Sequence, residues 1–393
     1  MKNAYFDNAS AAPVHPKVLE AMLPYLSGTF GNIQLVHRWG AAVRQAVDEA
    51  REHVAALIGG NAEEIIFTAS GSESNNLVLK GLATAYQGKG KHIVVSSVEH
   101  FSVLYAVRTL EKAGFEVSTV PVDQHGRVKP ADVARRLRDD TSVVSVMLAN
   151  GEVGTIEPLR EIVPLVKAKG ILFHTDAVAA AGVVPIDVQA LGVDALSLAS
   201  NPIYGPLGVG ALWLRRRTRL SPQIDGGVQE GGRRAGTENV PGIVGFGEAA
   251  RLAKEQLAQR AERARPLRER LIEGISTTID HTIVTGHRDD RLPNHASFCV
   301  EFIEGEAMLL FLSSKGIGAS SGSACTSKAL KASHVLSAMG VDAALAQGSL
   351  LFSINPWNTA DEVEQVIAEL PPIIVRLREM SPLYAEFREQ GGQ

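Results

Sequence analysis

The sequence predicts an α/β fold in which helices cover both faces of a mostly parallel central sheet, followed by a smaller α+β domain. Apolar runs of strand length alternate with amphipathic runs of helix length as far as about residue 240. Such alternation is typical of a parallel sheet buried on both faces. Beyond that point strands and helices follow one another in a mixed order, which indicates the second domain.

Six apolar runs have the length and composition of buried strands. We predict strands at Ile65–Thr68, His92–Ser96, Val143–Met147, Gly170–His174, Ala195–Ala199 and Gly208–Leu214. The amphipathic runs between them predict helices at Glu73–Ala85, Ser102–Ala113, Pro130–Arg138 and Leu159–Ala168.

A long charged amphipathic run from Val240 to Ser276 predicts one connecting helix. After it, the pattern predicts strands Ala296–Val300 and Leu350–Ile354 and helices Gly305–Ser314 and Ala360–Met380. We therefore expect a large domain over residues 15–255 and a small domain made of residues 1–14 and 256–393. The first dozen residues would fold back onto the small domain, and the polar tail after Leu383 would be frayed.

Composition excludes several classes of protein. The chain has 393 residues, 45% of them hydrophobic, and a net charge of -4, so it can bury a large core but has no basic surface for nucleic acid. No apolar run approaches the roughly 18 residues that cross a bilayer. The N-terminal residues lack the apolar centre of a signal peptide. We expect a cytoplasmic protein without a membrane partner.

The two cysteines, Cys299 and Cys325, exclude a disulfide framework and a metal site built on cysteine pairs. Cys299 lies in an apolar run and is predicted to be a core residue. Cys325 lies among small, hydroxyl-bearing residues, Ser320 to Ser327, where a thiol would be exposed and able to reach a partner or a small molecule. An ordinary loop cysteine is the alternative.

Three further segments carry candidate residues, each with a plainer alternative. Asp176 follows an apolar strand, where α/β sheets bind ligands, but it would equally cap the next helix. Ser72 lies at a strand-to-helix turn whose N–H groups would bind phosphate, although the same residues form a helix cap. His100, at the end of another strand, would stack on a flat ring or serve a structural role.

In this order, these segments resemble the cysteine desulfurases, the IscS/NifS type within the class V aminotransferase-like, fold-type I pyridoxal-phosphate proteins. The resemblance covers nearly the whole chain and also rests on Gly31-Asn32, Tyr204-Gly205-Pro206 and the run from Gly236 to Pro241. It implies a homodimer, pyridoxal phosphate as cofactor and an IscU-like scaffold protein of iron–sulfur cluster assembly as partner. The sulfur of free cysteine would pass to a cysteine at the position of Cys325 as a persulfide.

The resemblance also implies a role for each candidate residue. Asp176 would pair with the pyridine nitrogen of the cofactor, and His100 would stack on its ring. Ser72 lies where a threonine usually contacts the phosphate. Thr237 matches a phosphate contact that is made across the dimer.

Six residues depart from the family pattern where the cofactor and substrate would bind. Pro202 stands at the position of the lysine that bonds the cofactor, and a proline has no primary amine for a Schiff base. Pro356 stands where an arginine grips the substrate carboxylate. The other four replace an asparagine, a glutamine, a serine and a histidine; they are Gly151, Ala179, Ala199 and Asn201.

These departures favour a desulfurase-like partner protein without normal desulfurase activity. Cys325 would then carry sulfur delivered from elsewhere, or would supply one thiolate to an iron–sulfur cluster shared with the scaffold. Two alternatives stay open. One is an active desulfurase that uses Lys328 or Lys331 as its amine; the other is a pocket reassigned to a different ligand.

Overall fold

The computed structural model describes residues 3–322 and 332–391. In these residues the strands are β1 (Ala4–Tyr5), β2 (Ile65–Thr68), β3 (His92–Ser96), β4 (Glu116–Val120), β5 (Thr141–Ser145), β6 (Leu172–Asp176), β7 (Ala195–Ala199), β8 (Gly210–Leu214), β9 (Thr282–Val284), β10 (His295–Val300), β11 (Ile317–Gly318) and β12 (Ser349–Ser353).

The helices of the same residues are α1 (Pro16–Ser27), α2 (Arg38–Leu57), α3 (Gly71–Ala85), α4 (Phe101–Lys112), α5 (Pro130–Arg136), α6 (Leu159–Lys167), α7 (Val188–Leu191), α8 (Gln229–Gly232), α9 (Val240–Glu255), α10 (Leu257–Thr278), α11 (Gly305–Ser314), α12 (His334–Ala338), α13 (Ala343–Gln347), α14 (Ala360–Glu379) and α15 (Pro382–Glu389). No helix among the described residues is both long and apolar enough to span a membrane.

The largest sheet of the described chain has the strand order β2-β8-β7-β6-β5-β3-β4. Its strands run parallel except β8, which is antiparallel to both of its neighbours. Successive residues of a strand face opposite sides. Val143 accordingly packs into one apolar cluster and Val144 into another, and helices contribute to both clusters. The predicted mostly parallel sheet with two covered faces is confirmed.

A second group of elements forms around the antiparallel strands β9, β10 and β12. Its apolar cluster combines Ala4 and Phe6 with residues between 264 and 377. Ala4 pairs with Ile317 in a short parallel ladder, so the prediction that the first residues fold back is confirmed. The domain bounds 15–255 and 256–393 stay predictions.

The single connecting helix predicted from Val240 to Ser276 is wrong. Gln256, with φ -103° and ψ 5°, leaves the helical conformation and separates α9 from α10. The break allows α9 to pack on α1 and α2 while α10 packs on α14. The two helices therefore serve different cores, which a continuous amphipathic pattern does not reveal.

The prediction of a frayed tail is also wrong as far as Glu389. Ser381 caps α15 by accepting a hydrogen bond from the N–H of Tyr384 at 3.4 Å. The ring of Phe387 lies 4.7 Å from the ring of Phe302. Aromatic packing against another element holds this helix, so its polar composition was a poor guide.

Candidate functional site

The carboxyl ends of β3, β5, β6 and β7 meet at one edge of the sheet, and Asp176 ends the strand β6 that lies between β5 and β7. Asp176 is 6% exposed. The N–H of Val178 donates to its Oδ1 at 2.9 Å, and Nδ2 of Asn75 donates to its Oδ2 at 2.6 Å. The next helix, α7, is capped by Asp187, so Asp176 does not cap it.

A chain of hydrogen bonds joins Asp176 to His100. Nδ2 of Asn75, which bonds Asp176, also donates to Oγ of Ser102 at 2.8 Å. That hydroxyl lies 2.7 Å from Nδ1 of His100. Neither Asn75 nor Ser102 was predicted from the sequence to belong to this network. The sequence signal for this network is weak: Asn75 is one polar residue on the buried side of α3, and Ser102 lies in the first turn of α4.

His100 has a structural role beside any role in binding. Its Nδ1 accepts the N–H of Ser102 at 3.1 Å and so caps α4. Because Nδ1 is an acceptor, the neutral ring carries its proton on Nε2. The ring is exposed at the same edge of the sheet, and the plainer and the functional interpretations of His100 are therefore compatible.

Two fully buried titratable groups, His174 and Glu99, lie near Asp176. His174, fully buried, lies between the hydroxyls of Ser145 and Ser197 at 2.9 and 3.0 Å, and burial lowers its pKa to about 3. Burial raises the pKa of Glu99 well above its ordinary value, and the Asp176 carboxylate adds to that effect. His174 would therefore be uncharged at neutral pH, and burial beside Asp176 disfavours the charged form of Glu99.

Ser72 lies at the beginning of α3, one turn before Asn75. Ser70 caps this helix by accepting the N–H of Glu73 at 3.1 Å. In the described part of the chain, the N–H groups of Gly71 and Ser72 have no acceptor. Open N–H groups at a helix N-terminus suit a phosphate, so the cap and the phosphate interpretations again coexist.

Thr237 is exposed on the segment before α9. Arg234 of the same segment pairs with the carboxylate of Glu73 at 2.8 Å and so ties the segment to the beginning of α3. Glu230 pairs with Arg51 at 2.7 Å and strengthens this attachment. The segment therefore lies near Ser72 of its own chain, and the contact across a dimer stays a prediction.

Pro202 lies in a tight turn directly after β7, the strand next to β6. It belongs to a 3₁₀ turn, Asn201–Ile203. Asn201 accepts the N–H of Ala12 at 3.0 Å and donates to the carbonyl of Ser10, so it holds the N-terminal segment. The sequence contains no lysine from residue 170 to residue 253. This stretch includes all of β6, β7 and β8 and therefore supplies no primary amine.

Several of the departures from the family pattern lie close together. A Cβ built on Gly151 would lie 3.6 Å from Cβ of Ala179. Pro202 and Pro356 line the same small cavity of about 20 Å³. Four of the six departures thus form two pairs of neighbours.

The described residues fit pyridoxal phosphate only in part. Asp176, His100 and the open N–H groups of α3 suit a nitrogen-containing ring and a phosphate. The covalent bond that anchors this cofactor needs an amine, and Pro202 supplies none. The described site therefore does not fit a covalently held cofactor.

The cysteine predictions have different outcomes. Cys299 is fully buried in β10, and burial raises its pKa to about 12, which confirms it as a core residue. Cys325, Lys328 and Lys331 lie outside the described residues. Their predicted roles stay predictions.

Comparison with known proteins gives one consistent result. A family profile described as aminotransferase class-V matches residues 4–366. The chain is 46% identical to "Cysteine desulfurase IscS 1" of Archaeoglobus fulgidus over 97% of this chain and 99% of that protein. It is 46% identical to "Cysteine desulfurase IscS" of Methanosarcina thermophila over 97% and 94%. A solved structure of a NifS-like protein superposes with a TM-score of 0.90 at 35% identity and covers 96% of this chain and 100% of that chain.

Proposed function

The chain belongs to the aminotransferase class-V family, and on that premise we propose that it is a cysteine desulfurase-like protein of iron–sulfur cluster assembly that lacks normal pyridoxal-phosphate chemistry. In this proposal Cys325 either carries sulfur as a persulfide or supplies a thiolate to a cluster. A scaffold protein of the IscU-like type receives it. The protein would act in the cytoplasm as a homodimer.

One observation carries the proposal. Pro202 occupies a closed turn at the end of β7, beside the strand that ends in Asp176. The surrounding stretch has no lysine from residue 170 to residue 253. The family fold and the hydrogen bonds around Asp176 are present, so the missing amine bears on cofactor chemistry rather than on folding. The printed names of the relatives support the sulfur-transfer class.

The sulfur-carrier role needs no cofactor. The thiolate of Cys325 would attack the outer sulfur of a persulfide donor, R–S–SH, which is another protein or a small thiol. A sulfur–sulfur bond forms on Cys325, the donor's sulfur–sulfur bond breaks, and the donor leaves as its thiol. Bonds and oxidation states balance, so no oxidant is required. A second transfer of the same kind would pass the sulfur to the scaffold.

The cluster-ligand role is the second form of the same proposal. Iron–sulfur clusters are held by four ligands, most of them cysteine thiolates. Cys299 cannot contribute because it is buried with a raised pKa. Cys325 would therefore supply a single ligand, and the scaffold would supply the others.

The decisive experiment separates sulfur transfer from desulfuration. The purified protein is incubated with pyridoxal phosphate and L-cysteine, and sulfide release is measured. A parallel sample receives a low-molecular-weight persulfide, and labelled cysteines are mapped by mass spectrometry. We expect no sulfide from L-cysteine, a persulfide on Cys325 and none on Cys299, which serves as the internal control. Sulfide release that continues through many turnovers would refute the proposal.

The alternative, an active desulfurase, is favoured by the retained arrangement of Asp176 and His100 and by the names of the relatives. It requires another amine, and Lys328 or Lys331 would supply it. Borohydride reduction in the presence of pyridoxal phosphate would then leave the cofactor's mass on a peptide containing either lysine. An unmodified peptide together with a persulfide on Cys325 would support the cofactor-free proposal instead.

A further inference from the structure

Arg260, in the first turn of α10, is a buried arginine without an acidic partner among the described residues. Arg260 is 8% exposed. Its Nε and Nη2 donate only long hydrogen bonds, of 3.4 and 3.3 Å, to Oε1 of Gln256, and its guanidinium lies 5.3 Å from the ring centre of Tyr204. Within residues 3–322 and 332–391 no carboxylate lies within 4.0 Å of it. A buried charge without a counter-ion is costly, so this guanidinium would gain from binding an anion.

Arg260 lines a cavity of about 140 Å³. The walls come from three separate parts of the chain: His15 before α1, Trp357 after β12, and Gln259 and Arg263 on α10. An engineered protein cavity of about 150 Å³ holds one benzene molecule. The cavity therefore has room for a molecule of about six non-hydrogen atoms.

The charge of the cavity is positive. Arg260 and Arg263 bring two guanidinium groups, and Lys17 lies close enough to His15 to act on its charge. Burial, helped by Arg260 and Lys17, lowers the pKa of His15. The nearby acid Glu248 is already engaged, because both of its oxygens accept hydrogen bonds from the guanidinium of Arg251 at 2.7 and 2.8 Å.

The polar groups around the cavity are mostly hydrogen-bond donors. Nδ1 of His15 accepts the N–H of Lys17 at 3.1 Å, so the proton of the neutral ring is on Nε2. Arginine forks match the geometry of carboxylate and phosphate oxygens. The rings of His15 and Tyr204 contact Trp357 at 5.5 and 4.9 Å and close one side.

We propose that this cavity is an oxyanion-binding site in which Arg260 and Arg263 bind the carboxylate or phosphate group of a small molecule. The amides of Gln256 and Gln259 would complete its hydrogen bonds. The site goes beyond the proposed function, because neither Asp176 nor Cys325 takes part in it, although Pro356 lines the same cavity. Since the N-terminal segment, α10 and the Trp357 loop all form its walls, the bound anion would hold these three segments together.

Thermal unfolding tests the proposal and identifies the anion. The wild-type protein is compared in inorganic phosphate, in pyruvate and in chloride at equal ionic strength. A ligand that binds only the folded protein raises the unfolding temperature, and the rise grows with the logarithm of one plus the ratio of ligand concentration to Kd. We expect a rise over chloride with phosphate or with pyruvate, and the more effective anion gives the chemical class of the ligand. Equal unfolding temperatures in all three salts would overturn the proposal.

Three variants test whether the anion that raises the unfolding temperature binds in this cavity. In Arg260→Gln the affinity for the anion should fall at least about tenfold, because hydrogen bonds to a charged group are lost. Arg263→Gln, at an exposed position that is safe for folding, should weaken binding as well. Arg265→Gln, an exposed arginine of the same helix that does not line the cavity, is the control and should bind like wild type.

A further readout separates binding from a purely structural role. In chloride, Arg260→Gln should unfold at a higher temperature than wild type, because the variant no longer buries an unpaired charge. An anion effect of equal size in Arg260→Gln, Arg263→Gln and Arg265→Gln would refute the site.

Discussion

The attachment of the Thr237 segment gives a prediction whose size follows from the structure. The carboxylate of Glu230, 3% exposed, accepts hydrogen bonds from Nη1 and Nη2 of Arg51 at 2.7 and 2.8 Å. It also accepts the N–H of Phe67 at 3.0 Å. Nη1 of Arg51 donates to the carbonyl of Ile65 as well. This buried pair joins the segment before α9 to α2 and β2.

Removing one partner of a buried ion pair leaves the other charge uncompensated and costs about 3–5 kcal/mol. We therefore expect Glu230→Ala and Arg51→Ala each to lower the free energy of unfolding by about that amount. The double variant should lose less than the sum of the single losses, by about 1–3 kcal/mol, since neither charge is then left alone.

Urea denaturation followed by circular dichroism measures these differences, and the three variants together with wild type form a double-mutant cycle. The matched control is the exposed pair of Glu63 and Arg216, whose atoms lie 3.2 Å apart with side chains 61% and 75% exposed. Glu63→Ala should cost less than about 1 kcal/mol. Losses at Glu230 as small as those at Glu63, or strictly additive losses in the cycle, would refute the reasoning.

Three further predictions concern the residues around the sheet edge. Burial lowers the pKa of His174 from 6.5 to about 3, so the unfolded chain binds a proton that the folded chain does not. As the pH falls from 6.5 towards 3, the wild type should lose up to about 1.4 kcal/mol of stability per pH unit from this group. His174→Asn, measured by urea denaturation, should lack that component, and parallel pH profiles would contradict it. Gly210→Ala should cost about 1–3 kcal/mol, because its Cβ would lie 2.6 Å from backbone, whereas Gly88→Ala, with open space around it, should be nearly neutral in the same assay. Asn75→Leu should cost about 1–3 kcal/mol by leaving Oδ2 of the buried Asp176 carboxylate without its donor, and a similar loss in the neighbouring Asn76→Leu would argue against a specific role.

Much of the fold could be predicted because buried strands need continuous apolar runs. The strands at Ile65–Thr68, His92–Ser96 and Ala195–Ala199 have the predicted bounds. The helix α2 escaped prediction although its buried face includes Val43, Val47 and Val54, since many charged residues lie between them. The strand β4 escaped as well because only its last residue, Val120, is buried.

The sequence by itself determined the chemistry that is missing. Whether a side chain carries an amine depends only on residue type, so Pro202 and the lysine-free stretch around it could be identified without coordinates. The same holds for the single candidate thiol, Cys325. Asp176 and His100 could also be predicted, because the ends of parallel strands meet at one edge of a sheet.

Only the tertiary structure decided which groups lie together. Asn75 bonds Asp176 across 101 residues of sequence, and Arg260 meets His15 and Trp357 from opposite ends of the chain. No periodic pattern encodes such contacts, because they result from the packing of whole elements rather than from local spacing. The break at Gln256 has the same origin. The helices α9 and α10 pack against different groups of helices, and this packing exists only in the folded chain.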